Sequence, residues 1–203
     1  MLTQPVMKQS LMNWTITRKK KGFSSIYPKY YMTVSNAGTF LLAAKKKPLK
    51  YIISANEKNC KEKSSDYMGR VVNNMMGTVF RIYDKGIKPK KGANYRYIRE
   101  ELGVITYKSN IVGKKGPREM AILIPQVSGS GESVWWKPMD DSESMLSQHK
   151  EGNNMGISVF RNKQPVWNEN LGAYVLNFNG RVEKASVKNF QLVDEFDKNK
   201  IYL

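Results

Sequence analysis

The brevity of every apolar run is the strongest constraint on what this chain can fold into. The longest runs, such as Ala121-Ile-Leu-Ile124, are strand-sized, far short of the roughly 20 residues a membrane-spanning helix needs. Runs rich in β-branched and aromatic residues recur along the chain, separated by Gly, Pro, Asn and Lys clusters. This spacing predicts strands near 13–18, 29–34, 38–44, 49–54, 67–72, 76–83, 101–107, 118–124, 133–136, 156–160, 173–178 and 187–193. Alternation is clearest in 173–178, where Tyr174, Leu176 and Phe178 share one face, and in 78–83, where Phe80 and Ile82 oppose Arg81 and Tyr83. Turn chemistry marks Lys85-Gly86, the 113–117 segment and the Gly/Ser stretch 128–131. One stretch, Asp141 to His149, reads as a short helix with acidic and capping residues at its start. Many short strands with one helix predict an all-β chain with minor α, a single antiparallel barrel or sandwich. Residues 1–12 are expected to be a short N-terminal extension, and 13–203 one barrel domain.

Charge is the next constraint. The chain carries 34 Lys+Arg against 17 Asp+Glu, a net +17. The excess is confined: residues 1–139 hold 26 basic and 8 acidic side chains, and residues 140–203 hold 8 and 9. A basic excess of this kind implies a polyanionic partner, nucleic acid or an anionic lipid surface. The single cysteine, Cys60, allows no intrachain disulfide and suits a reducing compartment. The start, Met1-Leu-Thr-Gln-Pro5, lacks a signal peptide's layout, and with no apolar run of spanning length any membrane contact is expected to be peripheral.

Catalytic chemistry finds little to use. The only histidine, His149, falls in the expected helix, and Cys60 falls in a Lys/Glu-rich loop, so both read as unrelated surface residues. One Cys and one His cannot build a zinc site. Asp140 and Asp141 read as helix-capping carboxylates, and no Gly-rich loop joins a strand to a helix as nucleotide binding requires. No enzyme activity, cofactor or metal is expected. The cations are more informative. Arg18-Lys-Lys-Lys21, Lys45-Lys-Lys47 and Lys114-Lys115 before Arg118 flank expected strands. Several such runs can converge on one rim, as a pocket for a polyphosphorylated ring requires.

The segment Phe178-Asn-Gly-Arg-Val-Glu-Lys-Ala-Ser-Val-Lys-Asn-Phe-Gln191 resembles the signature of the tubby family. Thr15-Ile-Thr-Arg18, Tyr51-Ile-Ile-Ser54, Met76-Gly-Thr78, Gly116-Pro-Arg118 and Pro165-Val-Trp-Asn168 look like further family landmarks in the family's order. The resemblance implies a closed antiparallel barrel of twelve strands around a central apolar helix. This chain stops at Lys200-Ile-Tyr-Leu203, about where the family's last strand begins. It is therefore expected to be a C-terminally incomplete fragment, lacking that strand and the helix. The family binds phosphoinositides, notably phosphatidylinositol 4,5-bisphosphate, through a Gly-Lys-x-Arg motif, which looks like Gly69-Arg-Val-Val72 here. Arg70 keeps the first cation and Val72 replaces the second. Arg99 looks like another family cation. Lys50, before Tyr51, is expected to restore part of the charge Val72 removes, with Lys45, Lys46 and Lys47 as support.

The function implied is a monomeric membrane-tethering adaptor at the cytoplasmic face of the plasma or ciliary membrane, linked to delivery of membrane-protein cargo. A nucleic-acid-binding or transcription-linked protein in the nucleus is the rival, though no groove-entering basic helix supports it.

Overall fold

The computed structural model describes residues 12–20, 26–35, 37–108, 118–184, 186 and 188–203. Expectations placed on residues 1–11, Lys21, the 113–117 turn with Lys114 and Lys115, and Ala185 and Val187 lie outside this set.

The described residues form twelve strands and one α-helix: β1 (Trp14–Lys19), β2 (Lys29–Val34), β3 (Phe40–Lys47), β4 (Lys50–Ser54), β5 (Tyr67–Asn73), β6 (Val79–Asp84), β7 (Glu101–Tyr107), β8 (Met120–Pro125), α1 (Met145–Lys150), β9 (Ile157–Asn162), β10 (Val166–Asn168), β11 (Ala173–Val175) and β12 (Leu192–Asp194). A 3-10 turn, Tyr95–Tyr97, precedes β7. Ten strands make one antiparallel sheet in the order β1 to β9 and then β12; β10 and β11 pair separately. Consecutive strands pair as antiparallel neighbours, some through tight turns such as the one between β3 and β4, others across longer loops, of which the β8–β9 connection carries α1. After β12 the chain doubles back: Tyr202 N–H donates to the Leu192 carbonyl at 2.8 Å, and Leu192 N–H to the Leu203 carbonyl at 2.8 Å. Trp14 of β1 and the segment from Phe178 to Leu203 line one cavity of about 790 Å³. The sheet thus curls until its two ends face a common space. Among the described residues no strand pairing joins β1 to β12.

The two faces of this sheet differ. On one, Val104, Leu123, Ile157 and Val159 pack with Met145 and Leu146 of α1 into a buried cluster, with Trp136 against it. Ser144 caps the helix, its hydroxyl accepting from Ser147 N–H at 3.3 Å. Buried Glu101 holds the same end, its Oε2 accepting from Met145 N–H at 2.8 Å. On the opposite face, Leu42, Ile53, Val71, Ile82, Ile105 and Ile122 are only half-buried.

Several expectations are corrected. The helix starts at Met145 rather than Asp141, because Asp140 Oδ1 first accepts from Ser142 and Glu143 N–H and closes a separate turn. Segment 133–136 forms one bridge, Val127 to Ser133, and no strand; Trp136 is drawn instead beneath α1, and its indole donates to the Glu143 carbonyl at 2.9 Å. Segment 173–178 keeps only three strand residues, because its partner β10, which the sequence pattern missed, is just as short. Tyr174 is 70% exposed and lies edge-on to Trp167 in that ribbon, while Leu176 and Phe178 fall beyond the strand, so the three do not form one strand face. The alternation in β6 holds: Arg81 and Tyr83 lie on the α1 side, Phe80 and Ile82 on the other. Cys60 is buried, not a surface residue. Its loop folds over β4, where the Ser54 hydroxyl donates to the Asn59 carbonyl at 2.8 Å.

Candidate anion-binding site

Residues directly opposite each other in a ladder share a face, so register decides which cations meet. Lys50 lies opposite Val72, and Val72 opposite Arg81; Ile52 lies opposite Arg70, and Arg70 opposite Tyr83. Lys50, Arg70, Arg81 and Tyr83 therefore share the α1 side of the sheet. The Ile52–Arg70 row continues outward through Lys45, Lys29 and Lys19. Lys47, opposite Lys50, belongs to the same face. Lys46 does not: it points to the other side, its ammonium 5.9 Å from the centre of the Tyr51 ring. A run of three lysines on a strand cannot present all three to one ligand.

Gly69 aims Arg70. A Cβ at this position would fall 2.2 Å from the Tyr83 carbonyl oxygen and 3.2 Å from the Asp84 Cα. No side chain fits so close a strand approach. The β4–β5 ladder also shifts register between Ile53 and Ser54 opposite this glycine, and such bulges re-aim neighbouring side chains.

Arg99, just before β7, stacks on Tyr83 with its guanidinium carbon 3.8 Å from the ring centroid. Burial holds the Arg99 guanidinium below its ordinary pKa, and the positive charges of Arg70 and Arg81 add to the depression against the opposing pull of Tyr83 and Glu101. Among the described residues, neither Arg70 Nε nor Arg99 Nε, both buried, meets a hydrogen-bond acceptor. Two buried guanidinium N–H groups that repel each other are costly unless an anion completes them.

The neighbouring charges are already paired. Arg81 reaches Asp141 at 3.3 Å and Glu101 at 3.8 Å, so it faces α1. Burial pushes the Glu101 carboxyl above the usual carboxylate range, opposed by the Met145 N–H and Arg81. Lys50 donates to Glu62 Oε1 at 2.5 Å. That bond is the main cause of the lowered Glu62 pKa, to which Arg70 and Lys47 also contribute. Lys50 thus stands beside Val72, as the sequence suggested, but Glu62 holds its charge. Glu62, Arg81 and Tyr83 were not foreseen as site residues. The Arg81/Tyr83 alternation was visible in the sequence; Glu62 carried no signal, because a loop glutamate twelve residues from its lysine has no local pattern.

Cys60 and His149 sit apart. Cys60 lies in the loop over β2–β5, its thiol pushed up by burial against the pull of Lys29 and Lys45. His149, on α1, bonds Asn154 Oδ1 at 2.7 Å and lines a separate cavity of about 580 Å³ with Ala121, Arg161 and Lys163. Among the described residues, no cluster of three His, Cys, Asp or Glu is placed to hold a metal ion.

The chain matches the Tub family over residues 2–203. It is 38% identical over 199 residues to tubby-related protein 3 of Homo sapiens, covering 93% of this chain and 45% of that protein. To tubby-related protein 2 of Mus musculus it is 36% identical over 200 residues, covering 93% of this chain and 36% of the relative. To tubby protein homolog 1 of Caenorhabditis elegans it is 34% identical over 207 residues, covering 94% and 49%. The chain spans less than half the length of these relatives.

Proposed function

Since the chain belongs to the Tub family, we propose that Arg70 and Arg99 bind the phosphates of a phosphoinositide headgroup of the phosphatidylinositol 4,5-bisphosphate type. The protein then acts as a non-enzymatic adaptor that tethers its partners to the cytoplasmic leaflet. The observation that carries this reading is the pair of partly buried arginines whose buried Nε atoms meet no acceptor among the described residues. They are fixed on one face by the β5 register and by the stack on Tyr83. Headgroup phosphates pointing in different directions require cations from different strands, and Arg offers each a planar pair of donors. Lys45 and Lys47 on the same face extend the positive field toward an anionic surface, with Lys50 held by Glu62. Delivery of membrane-protein cargo to the plasma or ciliary membrane is the cellular role this chemistry suits. The concentration of cations on a curled sheet face, with no basic helix among the described residues, favours lipid over nucleic acid as partner.

Vesicles with and without phosphatidylinositol 4,5-bisphosphate, and an oligonucleotide of equal charge, test the reading across a salt series. Arg70→Ala is expected to abolish the phosphoinositide-dependent increment, with a loss of about 1.5–3 kcal/mol. Equal losses on oligonucleotide and vesicle, both vanishing in salt, would refute a headgroup site.

A further inference from the structure

Three large aromatic side chains on the segments around Arg99 stand largely exposed. Tyr95 is 57% exposed, Tyr97 62% and Trp135 75%. The first two lie on the 3-10 turn and the third on the non-strand segment that leads to α1. A single ammonium joins the segments: Lys137 Nζ lies 5.8 Å from the Tyr95 ring centre and 5.3 Å from that of Trp135. The same Nζ donates to the Arg96 carbonyl at 3.3 Å. Ile87, 45% exposed, donates its N–H to the Tyr97 carbonyl at 2.8 Å. Exposed aromatic side chains gathered on two adjoining segments mark a contact with something else.

The patch is rigidly tied to the candidate headgroup site. Arg99 N–H donates to the Ile87 carbonyl at 2.9 Å. Asp84 Oδ1 accepts from both Gly86 and Glu100 N–H, at 2.9 and 2.8 Å, and staples the base of the loop. A Cβ on Gly86 would lie 2.4 Å from the Arg99 Cα, so loop and arginine are in van der Waals contact. Residues 85–99 hold six Lys and Arg and no Asp or Glu.

We propose that Tyr95, Tyr97 and Trp135 enter the headgroup zone of an anionic bilayer while Arg99 engages a headgroup beside them, a second, non-specific membrane contact that rests on the phosphoinositide reading above. Tyr and Trp, each an apolar body with a polar edge, suit the membrane–water interface. The surrounding Lys and Arg suit its negative surface potential. Stacking of nucleic-acid bases is the poorer fit, because the Lys137 ammonium already stands over the Tyr95 and Trp135 rings.

Phosphatidylcholine/phosphatidylserine vesicles, with and without phosphatidylinositol 4,5-bisphosphate, provide the test. Fluorescence quenching by brominated acyl chains is read against Trp135→Phe, which assigns the Trp135 signal. Bound wild-type protein is expected to show quenching of Trp135. The double variant Tyr97→Ser/Trp135→Ser is expected to partition about tenfold more weakly onto both vesicle types. Its affinity for soluble inositol 1,4,5-trisphosphate and its far-UV circular dichroism should match the wild type. Absence of Trp135 quenching on bound vesicles would overturn the proposal, as would unchanged partitioning of the double variant. So would a variant that loses oligonucleotide binding while keeping vesicle binding. Failure of the headgroup reading registers separately, as wild-type protein that ignores soluble inositol 1,4,5-trisphosphate; Trp135 quenching on phosphatidylserine vesicles then still decides this proposal.

Discussion

Arg99→Ala separates binding from stability more sharply than any other substitution at the site. The arginine lies 3.8 Å above Tyr83, and a stack of this kind contributes about 0.5–2 kcal/mol. Against that gain stand burial of the guanidinium and repulsion from Arg70 and Arg81, which together depress its pKa. Truncation removes the stack and these penalties at once, so the unfolding free energy should move by less than about 1 kcal/mol. Anion binding has no such compensation. Loss of a charge-assisted contact costs about 1.5–3 kcal/mol, or roughly 10- to 150-fold in dissociation constant. Arg99→Lys should fall between, keeping the charge but not the planar fork. Isothermal titration with inositol 1,4,5-trisphosphate and urea melts of the same preparations supply both quantities. Lys163→Ala, in the separate cavity, is the control. A melt destabilised by more than about 2 kcal/mol would show that Arg99 is a packing residue and refute the reasoning; so would unchanged titration.

Three further outcomes are expected. Glu62→Gln releases Lys50, so headgroup affinity should rise about two- to fivefold while stability falls by less than about 1 kcal/mol, the pair being partly exposed; unchanged affinity would show that Lys50 cannot reach the anion. Val72→Arg places a cation between Lys50 and Arg81 and two residues from Arg70. It should raise headgroup affinity roughly tenfold and lower the melting temperature through added repulsion, and the opposite pair of signs would disprove the register argument. The third concerns pH. The folded-state pKa of Glu101 is raised by burial, so the native state holds this proton more tightly than the unfolded chain. The destabilising cost of its charge is absent below the unfolded value of about 4.3. It grows as pH rises from there toward the folded value, and is constant above it. Urea melts should therefore show wild-type stability falling through this window relative to Glu101→Gln, and parallel profiles would refute the assignment.

Much of this protein was legible in its residues. Short β-branched runs broken by turn residues can only be sheet, and a strand's period of two placed Arg81 and Tyr83 opposite Phe80 and Ile82 before any partner was known. The 178–191 segment resembled the tubby signature, and the chain does belong to that family. Tertiary structure decided the rest, because it depends on contacts between residues distant in sequence. Whether 133–136 extends a sheet or dives under a helix depends on a pocket built by β7, β8, β9 and α1. Three consecutive lysines look equivalent in a list, and only the ladder sends Lys46 to the far face. Glu62 meets Lys50 across a loop closure, and Arg99 stacks on Tyr83 where the β6–β7 register shifts to set Tyr83 opposite Glu101. Local sequence encodes the periodicity of a strand. Register, burial and the meeting of charges belong to the assembled sheet.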